Sequence, residues 1–151
     1  MVNASKKVSE KLSGWGNYPS KKTNIYSPDT IQQVKDLIKK KNFIARGNGR
    51  SYGDASIGLD NTILMSKINK VISFDKKNGV LIAEAGLMLS QVLEIVVPSG
   101  WFPYVTPGTK YVSIGGMIAA NVHGKNHYNC GCFDNYLEWI DLLEQNGKIY
   151  R

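Results

Sequence analysis

Ala45-Arg46-Gly47-Asn48-Gly49-Arg50-Ser51-Tyr52-Gly53-Asp54-Ala55 follows directly on the short run Asn42-Phe43-Ile44. Glycine reaches φ > 0 without strain and leaves no side chain between a ligand and the backbone. Successive N–H groups of such a loop can point into one concavity and bind an anion. A second segment has the same character. It runs from Pro107-Gly108-Thr109 through Ser113-Ile114-Gly115-Gly116 to Ala120-Asn121-Val122-His123-Gly124-Lys125-Asn126-His127. Two such loops on one scaffold predict a ligand with two parts, a pyrophosphate and a ring system.

The flanking sequence predicts the elements that carry these loops. A tail over residues 1–17 ends in the turn Gly14-Trp15-Gly16. A helix then begins with Ser27 as N-cap, Pro28 in the first helical position and Asp29 in the first turn. Its apolar face is Ile31, Val34, Leu37 and Ile38, at helical spacing. Asn42–Ala45 reads as a short buried strand. Thr62–Met65 and Val71–Phe74 read as strands, and Asp75-Lys-Lys-Asn-Gly79 as a hairpin turn that returns the chain as Val80–Ala85. A second amphipathic helix is expected over Leu89–Val97, stopping before Pro98. Gly115–Asn121 reads as a short helix with small residues on one side. Tyr136–Leu143 and Lys148–Tyr150 flank Gln145-Asn-Gly147, a second hairpin signal. Strands interleaved with two main helices predict an α+β or α/β domain.

With 151 residues, 42% of them hydrophobic, the chain can bury a core of one domain or slightly more. No apolar run is long enough to span a membrane, and residues 1–25 lack the apolar block of a signal peptide. A cytoplasmic chain is expected, or one exported as part of something larger. The net charge of +7 is uneven: residues 1–50 carry 11 Lys/Arg against 3 Asp/Glu, and residues 51–151 carry 8 against 9. Lys35, Lys39, Lys40 and Lys41 lie on and after the first helix and read as a solvated face. No nucleic-acid-binding motif accompanies them, so no nucleic-acid partner is expected. Cys130-Gly131-Cys132 offers too few ligands for a structural zinc and too short a spacing for ordinary disulfide geometry, so two reduced thiols and no metal are expected.

Two nucleotide-binding patterns are excluded. Gly47-Asn48-Gly49 would need a third glycine three residues on, opening a helix, to be a dinucleotide fingerprint; Tyr52 stands there. A P-loop would need Gly-Lys-Ser/Thr, which the segment lacks.

Taken in order, Ala45–Asp54, Ala85-Gly86, Pro107-Gly108-Thr109, Ser113–Gly116 and His123-Gly124-Lys125-Asn126-His127 with Gly131-Cys132-Phe133 resemble the FAD-binding domain of the vanillyl-alcohol oxidase and p-cresol methylhydroxylase type. Within that type the resemblance is strongest to the decaprenylphosphoryl-ribose oxidase branch; sugar-lactone and alditol oxidases are more distant. It covers residues 14–151. It implies an α+β FAD-binding domain over residues 18–151, incomplete at its C-terminus because the chain stops in a hairpin strand before the last strands and the substrate cap of the family.

The resemblance also implies roles. Residues 45–55 would wrap the FAD pyrophosphate through backbone N–H groups, with either Arg46 or Arg50 adding charge. Gly108, Ser113, Ile114, Gly115, Gly116, Ala120, Asn121, Val122 and His123 would lie along the pyrophosphate, ribityl chain and flavin, with Ala119 and Ala120 leaving space for the ring. Covalent relatives carry a histidine where Arg50 stands, so non-covalent FAD is expected. His123 and Lys125 are the catalytic candidates, and His127 reads as structural. The implied reaction is oxidation of a sugar-type hydroxyl to a ketone by hydride transfer to flavin N5. The substrate would be a small polyol or a lipid-linked sugar, the latter bringing the protein to a membrane. A separate chain supplying the C-terminal half, or a reductase, are the implied partners. A non-catalytic FAD-binding remnant is the other reading left open.

Overall fold

The computed structural model describes residues 8–40 and 42–151. In chain order the elements are β1 (Val8–Ser13), β2 (Ser20–Tyr26), α1 (Ile31–Ile38), β3 (Ile44–Arg46), β4 (Asn61–Leu64), β5 (Val71–Asp75), β6 (Val80–Ala83), α2 (Leu89–Val96), α3 (Ile114–Ala119), α4 (His127–Cys130), β7 (Leu142–Leu143) and β8 (Ile149–Tyr150). Short 3-10 turns cover Val97–Ser99 and Phe133–Tyr136. The described residues divide into two units, residues 8–40 and 42–68 with 139–151, and residues 69–138. The α+β expectation stands.

In the first unit the sheet order is β1-β2-β4-β3. β1 pairs antiparallel with β2, while β2 and β3 both run parallel to the central β4. Val34 of α1 packs with Ile63 of β4 and with Ile68; Leu37, Ile38, Phe43, Met65 and Leu143 surround them. The Thr23 and Thr62 hydroxyls are buried across the strand pair, 3.1 Å apart. Thr62 Oγ1 also accepts from Gly58 N at 3.0 Å. These bonds satisfy polar groups that burial would otherwise leave costly.

Several expectations shift here. The segment read as a tail carries β1, which exists because it pairs along its length with β2 from Val8↔Ile25 to Ser13↔Ser20; residues 1–7, and Lys41 of the basic cluster, lie outside the described residues. α1 begins three residues later than the Ser27-Pro28 signal. Thr30 is its N-cap, with the Thr30 hydroxyl accepting from Gln33 N at 3.3 Å, while Gln33 Oε1 accepts from Asp29 N at 3.0 Å. That reciprocal pairing satisfies first-turn donors that a start at Pro28 would leave open. β3 is not buried: as the sheet edge it leaves Ile44 41% exposed. Of the strand expected over Tyr136–Leu143, only Leu142–Leu143 pairs, with Ile149–Tyr150 across a turn closed by Gly147 at φ 80°.

In the second unit β5 and β6 form the expected hairpin. Asp75 fixes the turn by accepting from Lys77 N at 2.9 Å and Asn78 N at 3.2 Å, and Gly79 takes φ 72° beneath the Trp101 ring. Leu87, Leu89, Val92, Val96 and Met117 are the buried core. α2 ends one residue earlier than expected, because Pro98 has no N–H to continue its bonding; the 3-10 turn that follows stops at Gly100, φ 82°. Ser113 caps α3, accepting from Gly116 N at 3.3 Å.

Candidate functional site

The first glycine loop leaves β3 and turns twice through left-handed backbone, at Gly49 (φ 66°) and Gly53 (φ 58°). The backbone N–H groups of residues 49–53 donate to no acceptor among the described residues. A run of amides with free donors on a glycine-rich turn can receive an anion such as a phosphate.

Of the two arginines, Arg46 turns inward. Its Nη2 donates to Ser13 O at 2.7 Å and its Nη1 to Ser56 Oγ at 3.1 Å, and partial burial lowers its pKa. Ser51 Oγ lies 2.9 Å from Ser56 Oγ. Arg50 lies outward over the Trp15 ring, 4.6 Å from its centroid. Asp54 is paired with Lys21, whose hydrogen bond, then charge, hold its carboxyl below the ordinary carboxylate value. Tyr52 is largely exposed and Ala45 and Ala55 lie at the surface.

In the second unit, α3 buries Met117 and turns Gly116, Ala119 and Ala120 outward. Positions i, i+3 and i+4 share one helix face, so this face has almost no side-chain relief and fits a flat ring. The two adjacent glycines differ in what surrounds them. A Cβ on Gly115 would stand 2.9 Å from Ala85 Cβ and 3.1 Å from Ala85 O, whereas one on Gly116 would meet only Ser113 Oγ, at 3.2 Å. Ile114 and Val122 pack against the unit's core. Asn121 takes φ 40° and its Oδ1 accepts from Asp134 N at 3.0 Å.

A groove of about 850 Å³ opens in the same unit, between the segment 102–108 and the loop His123–His127. It brings Gly108, His123 and Lys125 together. A Cβ on Gly108 would meet no protein atom. The His123 ring meets His127 edge-on, centroids 5.1 Å apart. Gly124 lets the loop close on its neighbour: a Cβ there would lie 2.6 Å from Asn126 Oδ1 and 3.0 Å from Thr106 O. Asn126 Nδ2 donates to Tyr104 O at 3.0 Å, and Tyr104 stacks on Tyr136 with centroids 4.8 Å apart. Among the described residues no carboxylate lines the groove. Cys130 and Cys132 are free thiols, and no cluster of metal-ligating side chains is present among the described residues.

The sequence reading missed three supporting features: the docking of the Gly14-Trp15 turn on the first loop, the Tyr104–Tyr136 stack, and the tie from Asn126 to Tyr104. The Gly-Trp-Gly string was a usable signal for the first. The other two join residues far apart in sequence and left no local signature.

Comparison with known proteins agrees with this geometry. The FAD binding domain family matches residues 24–151. The decaprenylphosphoryl-beta-D-ribose oxidase of Mycolicibacterium smegmatis is 32% identical over 149 residues, covering 94% of this chain and 32% of that protein. The D-arabinono-1,4-lactone oxidase of Kluyveromyces lactis is 25% identical over 142 residues, covering 88% of this chain and 26% of that protein. A solved structure of a Physcomitrella patens BBE-like 1 variant superposes with a TM-score of 0.76 at 19% identity, over 86% of this chain and 30% of that one, a likeness of fold. The chain thus spans about a third or less of the relatives it matches. With its family match running across most of the chain, the protein belongs to the FAD binding domain family, whose cofactor is FAD.

Proposed function

We propose that the protein carrying this chain is an FAD-dependent oxidoreductase of a sugar-type substrate, as the name of the M. smegmatis relative suggests, and that it oxidises a carbinol group of that substrate to a ketone. The observation that carries the reading is the groove holding His123 and Lys125 in one family-matched unit. When bound, FAD supplies the hydride acceptor.

In the first unit, the amides of residues 47–54 would hold the pyrophosphate. In the second, Ser113–Gly116 and Ala120–His123 would line the ribityl chain and ring. The imidazole of His123 is the group suited to orient a substrate hydroxyl or take its proton. The Lys125 ammonium is a point charge for an alkoxide-like oxygen or a substrate phosphate. Tyr104 and Phe102 wall the groove with apolar surface, which would exclude water from the reacting carbon. Arg50 cannot form the histidyl linkage of covalent relatives, so the cofactor is held without a bond to this loop.

The test is anaerobic: the intact protein is mixed with pentose and alditol substrates, with and without a phosphate, and the oxidised-flavin absorbance is followed. Bleaching by a carbinol substrate that slows strongly in His123→Ala is expected. Flavin that stays oxidised with every carbinol offered would sink the reading.

A further inference from the structure

The β1–β2 hairpin, strand ends and turn together, touches the first glycine loop at five points. Arg46 Nη2 donates to Ser13 O at 2.7 Å, reaching from the base of the loop to the end of β1. Trp15 N donates to Ser51 O at 2.8 Å. Gly14 packs so closely on the carbonyls of Ser51 and Gly53 that a Cβ there would overlap both oxygens. Arg50 lies over the Trp15 ring at 4.6 Å, and Lys21 of β2 pairs with Asp54. Exposed ion pairs and cation–π contacts are individually weak. Here, however, they flank a backbone contact that admits only glycine. The turn accepts no N–H of residues 49–53, so it holds the loop's shape while leaving those donors free.

We propose that this hairpin turn is a clasp that sets the anion-binding conformation of the first loop, with Gly14, Trp15 and Arg46 as positioning residues for FAD. The inference rests on the reading of residues 45–55 as the pyrophosphate cradle. It goes further in making the hairpin and cofactor binding thermodynamically coupled. An ordered loop binds without the cost of ordering it, and coupling of this kind is reciprocal. FAD must therefore hold the hairpin closed to the same degree that the hairpin favours FAD.

The test uses the intact protein, titrated with FAD by fluorescence, and limited trypsin digestion with and without FAD. Gly14→Ala should weaken FAD binding by about ten- to a hundredfold, the scale of losing a hydrogen bond to a charged group. Trp15→Leu, at a half-exposed ring, removes the Arg50 stack without filling space and should weaken it by a smaller factor, so the proposal stays testable if Gly14→Ala does not fold. In the wild type FAD should slow cleavage after Arg50 and also after Lys21 and Lys22 in β2. Protection of Arg50 with unchanged cleavage in β2 would overturn the clasp, as would a Gly14→Ala or Trp15→Leu protein that melts lower but binds FAD with wild-type affinity. Gly53→Ala, which strains the loop itself, is the control. If it too leaves FAD affinity untouched, the cradle reading has failed; if it alone weakens FAD, only the clasp has.

Discussion

Replacing Gly115 and Gly116 by alanine, one at a time, separates a packing glycine from a binding one. At Gly115 the new methyl would stand 2.9 Å from Ala85 Cβ and 3.1 Å from Ala85 O. On the same side Gly115 N donates to Ala85 O at 2.8 Å. That oxygen is backbone and cannot rotate away, so α3 must shift, and overpacking of this kind costs about 1–3 kcal/mol. The better helix propensity of alanine offsets up to about 1 kcal/mol of it. Because the blocking atoms are backbone and Cβ, the upper part of that range, about 2–3 kcal/mol, applies, and the net loss of about 1–2 kcal/mol lowers the Tm by about 2–8 °C in a chain of this size. At Gly116 the methyl meets only the Ser113 hydroxyl, at 3.2 Å, and stability should change by no more than about 0.5 kcal/mol. It would, however, add relief to the outward face shared with Ala119 and Ala120, and FAD should bind at least about tenfold more weakly. Gly116→Val should do so more severely. Calorimetry of the flavin-free variants and FAD fluorescence titration read the two effects apart. A Gly115→Ala protein that melts like the wild type would refute the close approach of α3 to Ala85. Parallel losses of stability and FAD affinity in Gly116→Ala would make Gly116 an ordinary packing residue.

Lys125→Ala should lower kcat/KM for a phosphorylated sugar by about 1.5–3 kcal/mol, the value of a hydrogen bond to a charged group, with FAD affinity unchanged; lost flavin with intact kcat/KM would move the lysine to the cofactor. The depressed Asp54 carboxyl stabilises the fold above its unfolded value of about 3.9, and that contribution disappears as the pH falls through the lower folded value. The small stability advantage of wild type over Lys21→Met should accordingly begin to shrink below about pH 4 and be gone once the pH is below the depressed folded value, and an advantage that persists in stronger acid would contradict the pairing. Asn121→Ala should cost about 1–3 kcal/mol, because it removes the acceptor for Asp134 N and places a less tolerant residue at φ 40°. Asn121→Asp, which keeps the acceptor, should melt closer to wild type. Acid precipitation should leave the flavin in solution, and a yellow pellet would contradict non-covalent binding.

Local chemistry was sufficient for much of this protein. The first glycine loop is legible because glycine takes the left-handed conformations at residues 49 and 53 without strain. Two of the hairpin turns are written in Asn78-Gly79 and Asn146-Gly147, and α2 in the spacing of Leu89, Val92 and Val96. Placing His123 and Lys125 in a single loop needed no more than their adjacency. Other features depend on partners distant in the chain. Val8–Ser13, rich in serine and charge, is a strand only because β2 supplies its hydrogen bonds. Gly115 and Gly116 are the same letter twice, and Ala85, thirty positions away in the numbering, makes one of them a packing residue. Arg46 and Arg50 look equivalent in the loop until Ser13 and Ser56 draw one guanidinium inward and Trp15 holds the other at the surface. A residue's own conformational preferences are carried by the sequence; what its side chain meets is set by packing, and for these residues packing decides the role.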